Sequence, residues 1–157
     1  MKAIKIRKGC KEDLDQVLGL IKELAHYEKA LGEVTISLEE LEKDGFGNHP
    51  YYWFIVAELD KKIVGISFYF IRYSTWKGKF LFLEDFIVTE KLRGNGIGAL
   101  LFEQTIRIAK DLNVKGMFWQ VLDWNQAAIN FYNKYDASID NSWLNGKLTY
   151  QQLKDFN

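Results

Sequence analysis

The sequence is poor in the side chains that cross-link small proteins or bind metals. It contains one cysteine, Cys10, and two histidines, His26 and His49. A single cysteine excludes an internal disulfide and is compatible with a reducing compartment. Because no cysteine and histidine cluster has the spacing of a metal site, we expect no bound metal, and a serine-based triad is not supported either.

The chain also lacks an excess of charge of either sign and any long hydrophobic run. Lysine plus arginine and aspartate plus glutamate number 21 each, which argues against nucleic acid or an anionic membrane as a partner. Apolar runs such as residues 53–57 are far too short to span a bilayer, and no apolar segment of a signal peptide follows the basic N-terminus. We therefore expect a cytoplasmic protein with neither partner.

Length and pattern indicate one domain over residues 1–157, with helix and strand periods alternating. Ser37 followed by Glu40 predicts a capping box for a helix that stops at Gly45, and Asn125 is a good N-cap. The pattern predicts a strand at 3–7, helices at 11–26 and 38–45, strands at 51–59, 63–73 and 80–88, a helix at 97–112, a strand at 114–121, a helix at 127–135, and one or two strands within 137–157. This order implies an α/β (α+β) fold, with a mixed sheet flanked by helices on both faces.

One stretch, residues 81–101, combines two features that suggest chemistry. Glu84 and Asp85 interrupt an otherwise apolar strand of the kind that is covered on both faces. A basic, glycine-rich loop from Arg93 to Gly98 then leads into a helix. Unpaired backbone N–H groups and the positive end of the helix dipole favour an anion at such a position, and residues without a Cβ let a phosphate approach.

Three phosphate-binding motifs share this chemistry. A Walker loop is excluded because no Gly-Lys-Ser/Thr follows Gly98. A dinucleotide fingerprint can be written as Gly94, Gly96 and Ala99, but that motif usually follows the first strand of a doubly wound sheet, and here about half the chain precedes it. The third motif, Arg/Gln-x-x-Gly-x-Gly/Ala, is the pyrophosphate loop of the acyl-CoA-dependent N-acetyltransferases of the GNAT superfamily, and KLRGNGIGALL resembles it closely.

Six segments in the order of that superfamily narrow the resemblance. They are ELAHYE at 23–28, DGFGNHP at 44–50, YSTWKGK at 73–79, LEDF at 83–86, RGNGIG at 93–98 and LDWNQAAINFY at 122–132. Together they resemble the diamine acetyltransferase family, which includes spermidine/spermine and thialysine N-acetyltransferases. The resemblance implies a mostly antiparallel GNAT sheet and a homodimer. It also implies direct acetyl transfer from acetyl-CoA to a primary amine in a ternary complex.

The resemblance assigns catalytic roles to Glu84 and Tyr132. Glu84 matches the family's general base, acting through ordered water, and an apolar strand is expected to raise its pKa. A proton acceptor is useful because a lysine-like amine, with a pKa of about 10.4, is neutral in only about one molecule per thousand near neutral pH. Asp85 is expected on the opposite face unless a bulge intervenes, with a secondary role toward substrate. Tyr132 matches the general acid for the CoA thiolate.

The family's cofactor positions fall mostly on the same stretch. The pantetheine arm would pair with the backbone as an additional strand, and the loop would hold the pyrophosphate. The residues concerned are Phe86, Ile87, Val88, Arg93, Gly94, Asn95, Gly96, Ile97 and Gly98. Asn125 matches a CoA-contacting asparagine, although helix capping explains it equally well. The family often has basic residues and a glycine after the tyrosine, whereas this chain has Asp136 and leaves Lys134 as the only candidate.

For the amine, the resemblance indicates an acidic and aromatic site. The side chains concerned are Tyr27, Glu28, Trp76, Glu84, Asp85 and Trp143. Polyamine-specific members have an acidic residue before Pro-Trp, but Ser74 and Thr75 precede the tryptophan here. Losing one buried anion weakens binding of a long polycation more than of a small amino acid, so the sequence favours thialysine or a related short amine.

Two alternatives remain open on the sequence. One is a CoA-binding or regulatory module that keeps the fold and has lost the chemistry, which Asp136 and the weak basic patch suggest. The other is a nicotinamide oxidoreductase, which protection of the folded chain by CoA and not by NAD(H) would remove. The acceptor amine, the kinetic order and exchange of the C-terminal strand between subunits stay open as well.

Overall fold

The structure is a computed structural model that describes residues 3–156. The chain divides into two compact units, with the boundary between Gln120 and Val121. The first unit contains a sheet and the helices packed on it, and the second contains two short helices and an extended segment between them. That the whole chain acts as one domain stays a prediction.

One five-stranded sheet forms the centre of the first unit. In spatial order its strands are β1 (Lys5–Lys8), β2 (Trp53–Leu59), β3 (Lys62–Ser74), β4 (Gly78–Val88) and β5 (Met117–Trp119). Neighbouring strands are antiparallel except β4 and β5, which are parallel. Asp60 and Lys61 turn β2 into β3 with φ angles of 52° and 62°, a backbone twist that suits a tight hairpin. The predicted mixed, mostly antiparallel sheet is confirmed.

Helices cover both faces of this sheet, as predicted. They are α1 (Leu14–Tyr27), α2 (Leu38–Phe46) and α3 (Ile97–Asp111). Val17 of α1 and Leu41 of α2 share a core with Val56 of β2, whereas Leu101 of α3 belongs to a second core with Ile55. Because successive side chains of a strand point to opposite faces, Ile55 and Val56 assign α1 and α2 to one face and α3 to the other.

Two polar contacts fix these helices. The Ser37 hydroxyl accepts the Glu40 N–H at 3.1 Å, and the Glu40 carboxylate accepts the Ser37 N–H at 2.9 Å, which confirms the predicted capping box. The buried Thr105 hydroxyl donates to the Leu101 carbonyl at 2.8 Å and lies 2.6 Å from the Ser67 hydroxyl. Buried polar atoms need such partners, so this pair ties α3 to β3 at a fixed depth.

The second unit contains α4 (Gln126–Asn133) and α5 (Tyr150–Lys154). The Asn125 side-chain oxygen accepts the Ala128 N–H at 3.2 Å, which satisfies one of the backbone donors left open at a helix start. The prediction that Asn125 caps this helix is confirmed.

The predicted strands of the tail are wrong for residues 137–156, the part of the tail that the structure describes. Thr149 and Gln152 form a capping box there and begin α5. Before that helix the apolar residues are interrupted by Asn141, Asn145 and Gly146, residue types that are depleted in strands. The predicted strand at 114–121 is likewise reduced to β5, Met117–Trp119.

Candidate active site

A β-bulge lies in the middle of β4, at the two adjacent carboxylates. Phe68 of β3 is aligned with Asp85, whereas Tyr69 is aligned with Leu83, so Glu84 is the additional residue on β4. A bulge disrupts the regular ladder, bends the strand and redirects side chains. In a regular strand Glu84 and Asp85 would point to opposite faces of the sheet. The bulge removes this constraint.

The environments of these carboxylates differ. Glu84 is exposed, so the burial expected for it is not found. Asp85 is half-buried, and burial, with the charges of Glu84 and Glu28, raises its pKa to about 6. Burial also raises the pKa of Glu28, which follows the last residue of α1. The group set to titrate near neutral pH is therefore Asp85.

Glu28, Glu84 and Asp85 form a carboxylate cluster at the β4 bulge. The charges of the two glutamates act on Asp85, which places the end of α1 and the bulge in one electrostatic environment. Among residues 3–156, no lysine or arginine forms a salt bridge with any of the three. An uncompensated cluster of this kind attracts a cation.

The glycine loop between β4 and α3 has the backbone that an anion site requires. Gly94 and Gly96 have φ angles of 78° and 79°, which favour glycine because a Cβ is strained there. An added Cβ would meet no atom within 4 Å at either position, so the requirement is conformational. Gly96 is the N-cap of α3, and no acidic side chain occupies the first turn. The positive end of the helix dipole is therefore uncompensated.

Two contacts join α1 to the segment that follows β4. The Arg93 guanidinium lies 4.7 Å from the centre of the Tyr27 ring and donates through Nε to the Val88 carbonyl at 2.9 Å. The Glu23 carboxylate accepts the Thr89 hydroxyl at 3.0 Å and the Glu90 N–H at 2.8 Å. Tyr27, Glu28, Glu84, Asp85 and Arg93 therefore lie on elements that these contacts hold together.

The ladder between β4 and β5 is short. It pairs Leu81–Leu83 with Met117–Trp119, whereas β4 continues to Val88. The two strands thus share a ladder only up to the bulge. The segment Phe86–Val88, predicted to pair with a pantetheine arm, lies beyond the end of that ladder.

Two predicted aromatic walls are not enclosed in the single chain. Trp76, in the β3–β4 turn, is 84% exposed, and Trp143, in the second unit, is 83% exposed. The Ser74 hydroxyl accepts the N–H groups of Trp76 and Lys77 at 3.2 and 3.3 Å. Ser74 therefore shapes the turn that presents Trp76.

The remaining predicted residues belong to the second unit. Tyr132 lies on α4 and is buried, with its ring centre 5.4 Å from that of Phe131. Lys134, directly after α4, is exposed, and Asp136 has a positive φ of 55°. The Asn125 amide oxygen already accepts the cap hydrogen bond described above.

Among residues 3–156, no group of three or more histidine, cysteine, aspartate or glutamate side chains is placed to hold a metal ion. Over the same residues no helix has the length and apolar character needed to cross a membrane.

Comparison with known proteins identifies the family. Residues 17–136 match the family model described as the acetyltransferase (GNAT) family. The chain belongs to the GNAT family. It is an N-acetyltransferase, in agreement with the order of its strands and helices and with the six sequence segments that resemble this superfamily.

The names of relatives of this N-acetyltransferase refer to two kinds of substrate, thialysine and spermidine or spermine. A thialysine N-epsilon-acetyltransferase of Bos taurus is 38% identical over 145 residues, which cover 87% of this chain and 85% of that protein. A spermidine/spermine N(1)-acetyltransferase-like protein 1 of Homo sapiens is 34% identical over 165 aligned positions, covering 99% of this chain but 24% of that longer protein. The predicted resemblance to the diamine acetyltransferase family is confirmed.

Solved structures agree with the fold. An integron cassette protein of V. cholerae superimposes with a TM-score of 0.78 at 23% identity, covering 98% of this chain and 97% of that one. An aminoglycoside N-acetyltransferase solved in complex with CoA has a TM-score of 0.69 at 18% identity, covering 92% and 99%. At these identities the likeness concerns the fold alone, and it confirms the predicted GNAT architecture.

Sequence reasoning missed two contacts of this candidate site. Glu23 and Thr89 are 66 positions apart, so no local pattern pairs them. The contact between Arg93 and Tyr27 was also missed, because Arg93 was assigned to a phosphate site and Tyr27 to a separate amine site. The residue types alone carry no signal for either contact.

Proposed function

We propose that this N-acetyltransferase transfers an acetyl group from acetyl-CoA to a primary amine of thialysine or of a related small diamine or polyamine. The carboxylate cluster of Glu28, Glu84 and Asp85 carries this proposal, because it is an uncompensated anionic site at the β4 bulge. The glycine loop follows on the same chain segment and suits a pyrophosphate.

Thialysine is the first choice among the amines. Several relatives named thialysine N-epsilon-acetyltransferase are 31–38% identical over most of this chain. The Ser74 hydroxyl accepts two backbone hydrogen bonds within the β3–β4 turn. According to the family resemblance, polyamine-specific enzymes have an acidic residue at this position. A small amino acid loses less than a long polycation when that anion is absent.

Acetyl-CoA is the proposed acetyl donor. The family resemblance indicates that it binds to the glycine loop and to the end of β4. Backbone N–H groups from Arg93 to Gly98 would hold the pyrophosphate, and Phe86–Val88 would pair with the pantetheine arm beyond the end of the β4–β5 ladder. Lys134 is the candidate for a further phosphate contact, and Asn125 for a contact to CoA. The cosubstrate supplies an activated thioester carbonyl.

Direct attack in a ternary complex accounts for the polar residues. The bound ammonium first loses one proton to Glu84 through water, and the neutral nitrogen then forms the new C–N bond. The C–S bond breaks, and the second proton that the nitrogen loses as the amide forms replaces the one that Tyr132 gives up. Asp85 and Glu28 hold the cationic form of the incoming amine. Tyr132 protonates the departing thiolate, a transfer that costs about 2 kcal/mol for a phenol near pKa 10 and a thiol near 8.5.

A homodimer is part of the proposal, and exposed apolar residues of the second unit support it. Trp143, Leu144, Leu148, Tyr150 and Phe156 are 83, 95, 66, 79 and 86% exposed in the single chain. Burial of such residues by a second copy is favourable. Sedimentation equilibrium should give twice 18.4 kDa, and a variant lacking residues 139–157 should be monomeric.

A cytoplasmic location is proposed from the single cysteine alone.

The activity test is thiol release from acetyl-CoA in the presence of thialysine, lysine, putrescine, spermidine or no amine. We expect the fastest release with thialysine. A preference for spermidine would replace thialysine by a polyamine as the substrate and leave the carboxylate cluster as the amine site. Release that is independent of added amine would contradict the proposal.

One observation favours a second candidate, a CoA-binding module without transfer activity. Beyond Tyr132 the basic positions of the family are reduced to the exposed Lys134, followed by Asp136. Such a module would gain thermal stability from CoA while no amine in the panel accelerates thiol release.

A further inference from the structure

A groove lies on the face of the sheet that α3 covers, beside the C-terminal half of that helix. It has a volume of about 550 Å³, within the range of small-molecule sites. Its apolar surfaces come from the strands and from the helix. They are Trp53, Ile55, Tyr69, Ile71, Ile108 and Leu112.

Tyr69 brings an unused polar group to this groove. The residue is only 8% exposed, and its hydroxyl forms no hydrogen bond with another residue among 3–156. Burial raises the pKa of this phenol, so the hydroxyl remains a donor. No buried side-chain nitrogen or oxygen among the described residues lacks a hydrogen-bond partner, so the Tyr69 hydroxyl reaches solvent at the groove. It can therefore donate to the acceptor atom of a bound molecule.

The charged side chains of the groove are basic. Lys8 and Arg7 line it, and no aspartate or glutamate does. The Arg7 guanidinium is already bound to Asp13 and Glu58, at 2.7 Å in each case. Lys8 forms no salt bridge with any residue among 3–156. The groove therefore carries one uncompensated positive charge at its β1 side.

We infer that this groove binds a small organic acid, with the carboxylate at Lys8, an apolar or aromatic body over Ile55 and Trp53, and an acceptor atom toward Tyr69. The apolar floor disfavours a small inorganic anion as the best ligand, because such an ion would lose hydration in the groove and gain nothing from the apolar surface. The single cation excludes an amine, which the carboxylate cluster attracts instead.

The groove is separate from the glycine loop. Ile108 lies eleven positions after Ile97 on α3, which corresponds to about 16 Å along a helix axis. Tyr69, on the groove floor, is aligned with Leu83, the residue before Glu84. An acid bound in the groove thus contacts β3, the strand that pairs with the bulge of β4, without occupying the sites proposed for amine or acetyl-CoA.

Phenylbutyrate is a suitable probe, and its neutral amide is the matched ligand control. Titration calorimetry on the full chain saturated with CoA should show one saturable site for the acid and at least tenfold weaker binding of the amide. CoA blocks the glycine loop in this design, so an acid that binds only there gives no signal.

Two variants and one control locate the site. Lys8→Met should weaken phenylbutyrate binding about tenfold, the size of a lost charge-assisted contact, and Tyr69→Phe should weaken it severalfold without loss of folding. Lys5→Met removes the same charge from the same strand, but its side chain alternates to the opposite face, and it should bind like the wild type. Equal binding of acid and amide, no saturable site in the CoA-loaded protein, or equal effects of Lys5→Met and Lys8→Met would each overturn the inference.

Discussion

Glu84 and Asp85 at the bulge of β4 form a carboxylate cluster with Glu28, whereas eleven positions after Asp85, at the start of α3, the chain presents glycines and backbone N–H groups. The first region is suited to cations and the second to anions. Side-chain charge can be titrated or removed by one substitution. Backbone donors change only when φ and ψ change. The two regions should therefore respond to different perturbations.

The largest expected effect is at the bulge. Glu84→Gln keeps the shape of the side chain and removes its basicity, so kcat should fall by about a hundredfold to a thousandfold. The KM for acetyl-CoA should stay unchanged, because the glycine loop is intact. Steady-state rates with both substrates check this, and Glu39→Gln, an exposed carboxylate of α2, is the matched control. A wild-type rate would make the carboxylate cluster a binding surface only.

Asp85→Asn should stabilise the folded protein while weakening the site. The folded pKa of about 6, against 3.8 for an ordinary aspartate, means that ionised Asp85 costs about 1–3 kcal/mol of folding free energy at neutral pH. The gain in stability should be complete above pH 6, decrease as the pH falls through the interval between the two pKa values, and vanish below pH 3.8, where both the folded and the unfolded state are protonated. Urea unfolding across that range measures it, and equal stability of the two proteins at neutral pH would contradict it.

The same variant should change the dependence of rate on pH. In the wild type, Asp85 loses its negative charge as the pH falls through about 6, so kcat/KM for the amine should decrease on that side of the profile. The kcat/KM of Asp85→Asn for the amine should be lower than that of the wild type at neutral pH, and its pH profile should lack this decrease. Persistence of the limb in the variant would assign it to another group.

At the loop, Gly96→Ala should raise the KM for acetyl-CoA about tenfold, because a Cβ at a φ of 79° costs about 1–2 kcal/mol and displaces the backbone donors. The KM for the amine should not change. Gly32→Ala is the matched control, since its added Cβ meets no atom within 4 Å and its φ is not positive. Equal effects of the two substitutions would remove the conformational argument.

The smallest effect concerns the contact between the two regions. Tyr27→Leu removes the ring beneath Arg93, a contact worth about 0.5–1 kcal/mol at an exposed site. Both KM values should rise about twofold to fivefold. A rise confined to the amine would show that Tyr27 serves the carboxylate cluster alone.

The sequence predicted these regions unequally. The glycine loop was predictable because its backbone requirement is written directly in glycine at 94 and 96. At the bulge the chemistry was predictable and the environment was not. An apolar strand predicted a buried Glu84, whereas the register shift exposes it and gives the perturbed pKa to Asp85. Register depends on the neighbouring strand, which no local pattern describes.

Secondary structure was also predictable where it depends on nearby residues and unpredictable where it depends on distant ones. The capping box at Ser37 and the cap at Asn125 were correct because their partners lie three residues away. The tail strands were wrong, since apolar residues such as Leu148 suggested a strand, but the Thr149 capping box formed a local helix instead. Contacts that join distant segments, such as Glu23 with Thr89, had no local pattern that revealed them.

The Glu23 bridge also limits how this enzyme can be re-engineered. A designer who wishes to change the acceptor amine would graft a new segment around the end of α1, where Tyr27 and Glu28 lie. The Glu23 carboxylate accepts hydrogen bonds from the Thr89 hydroxyl and the Glu90 N–H, just before the glycine loop proposed to bind the donor. A graft that replaces Glu23 would alter donor binding together with acceptor choice, so the exchangeable module begins after residue 23.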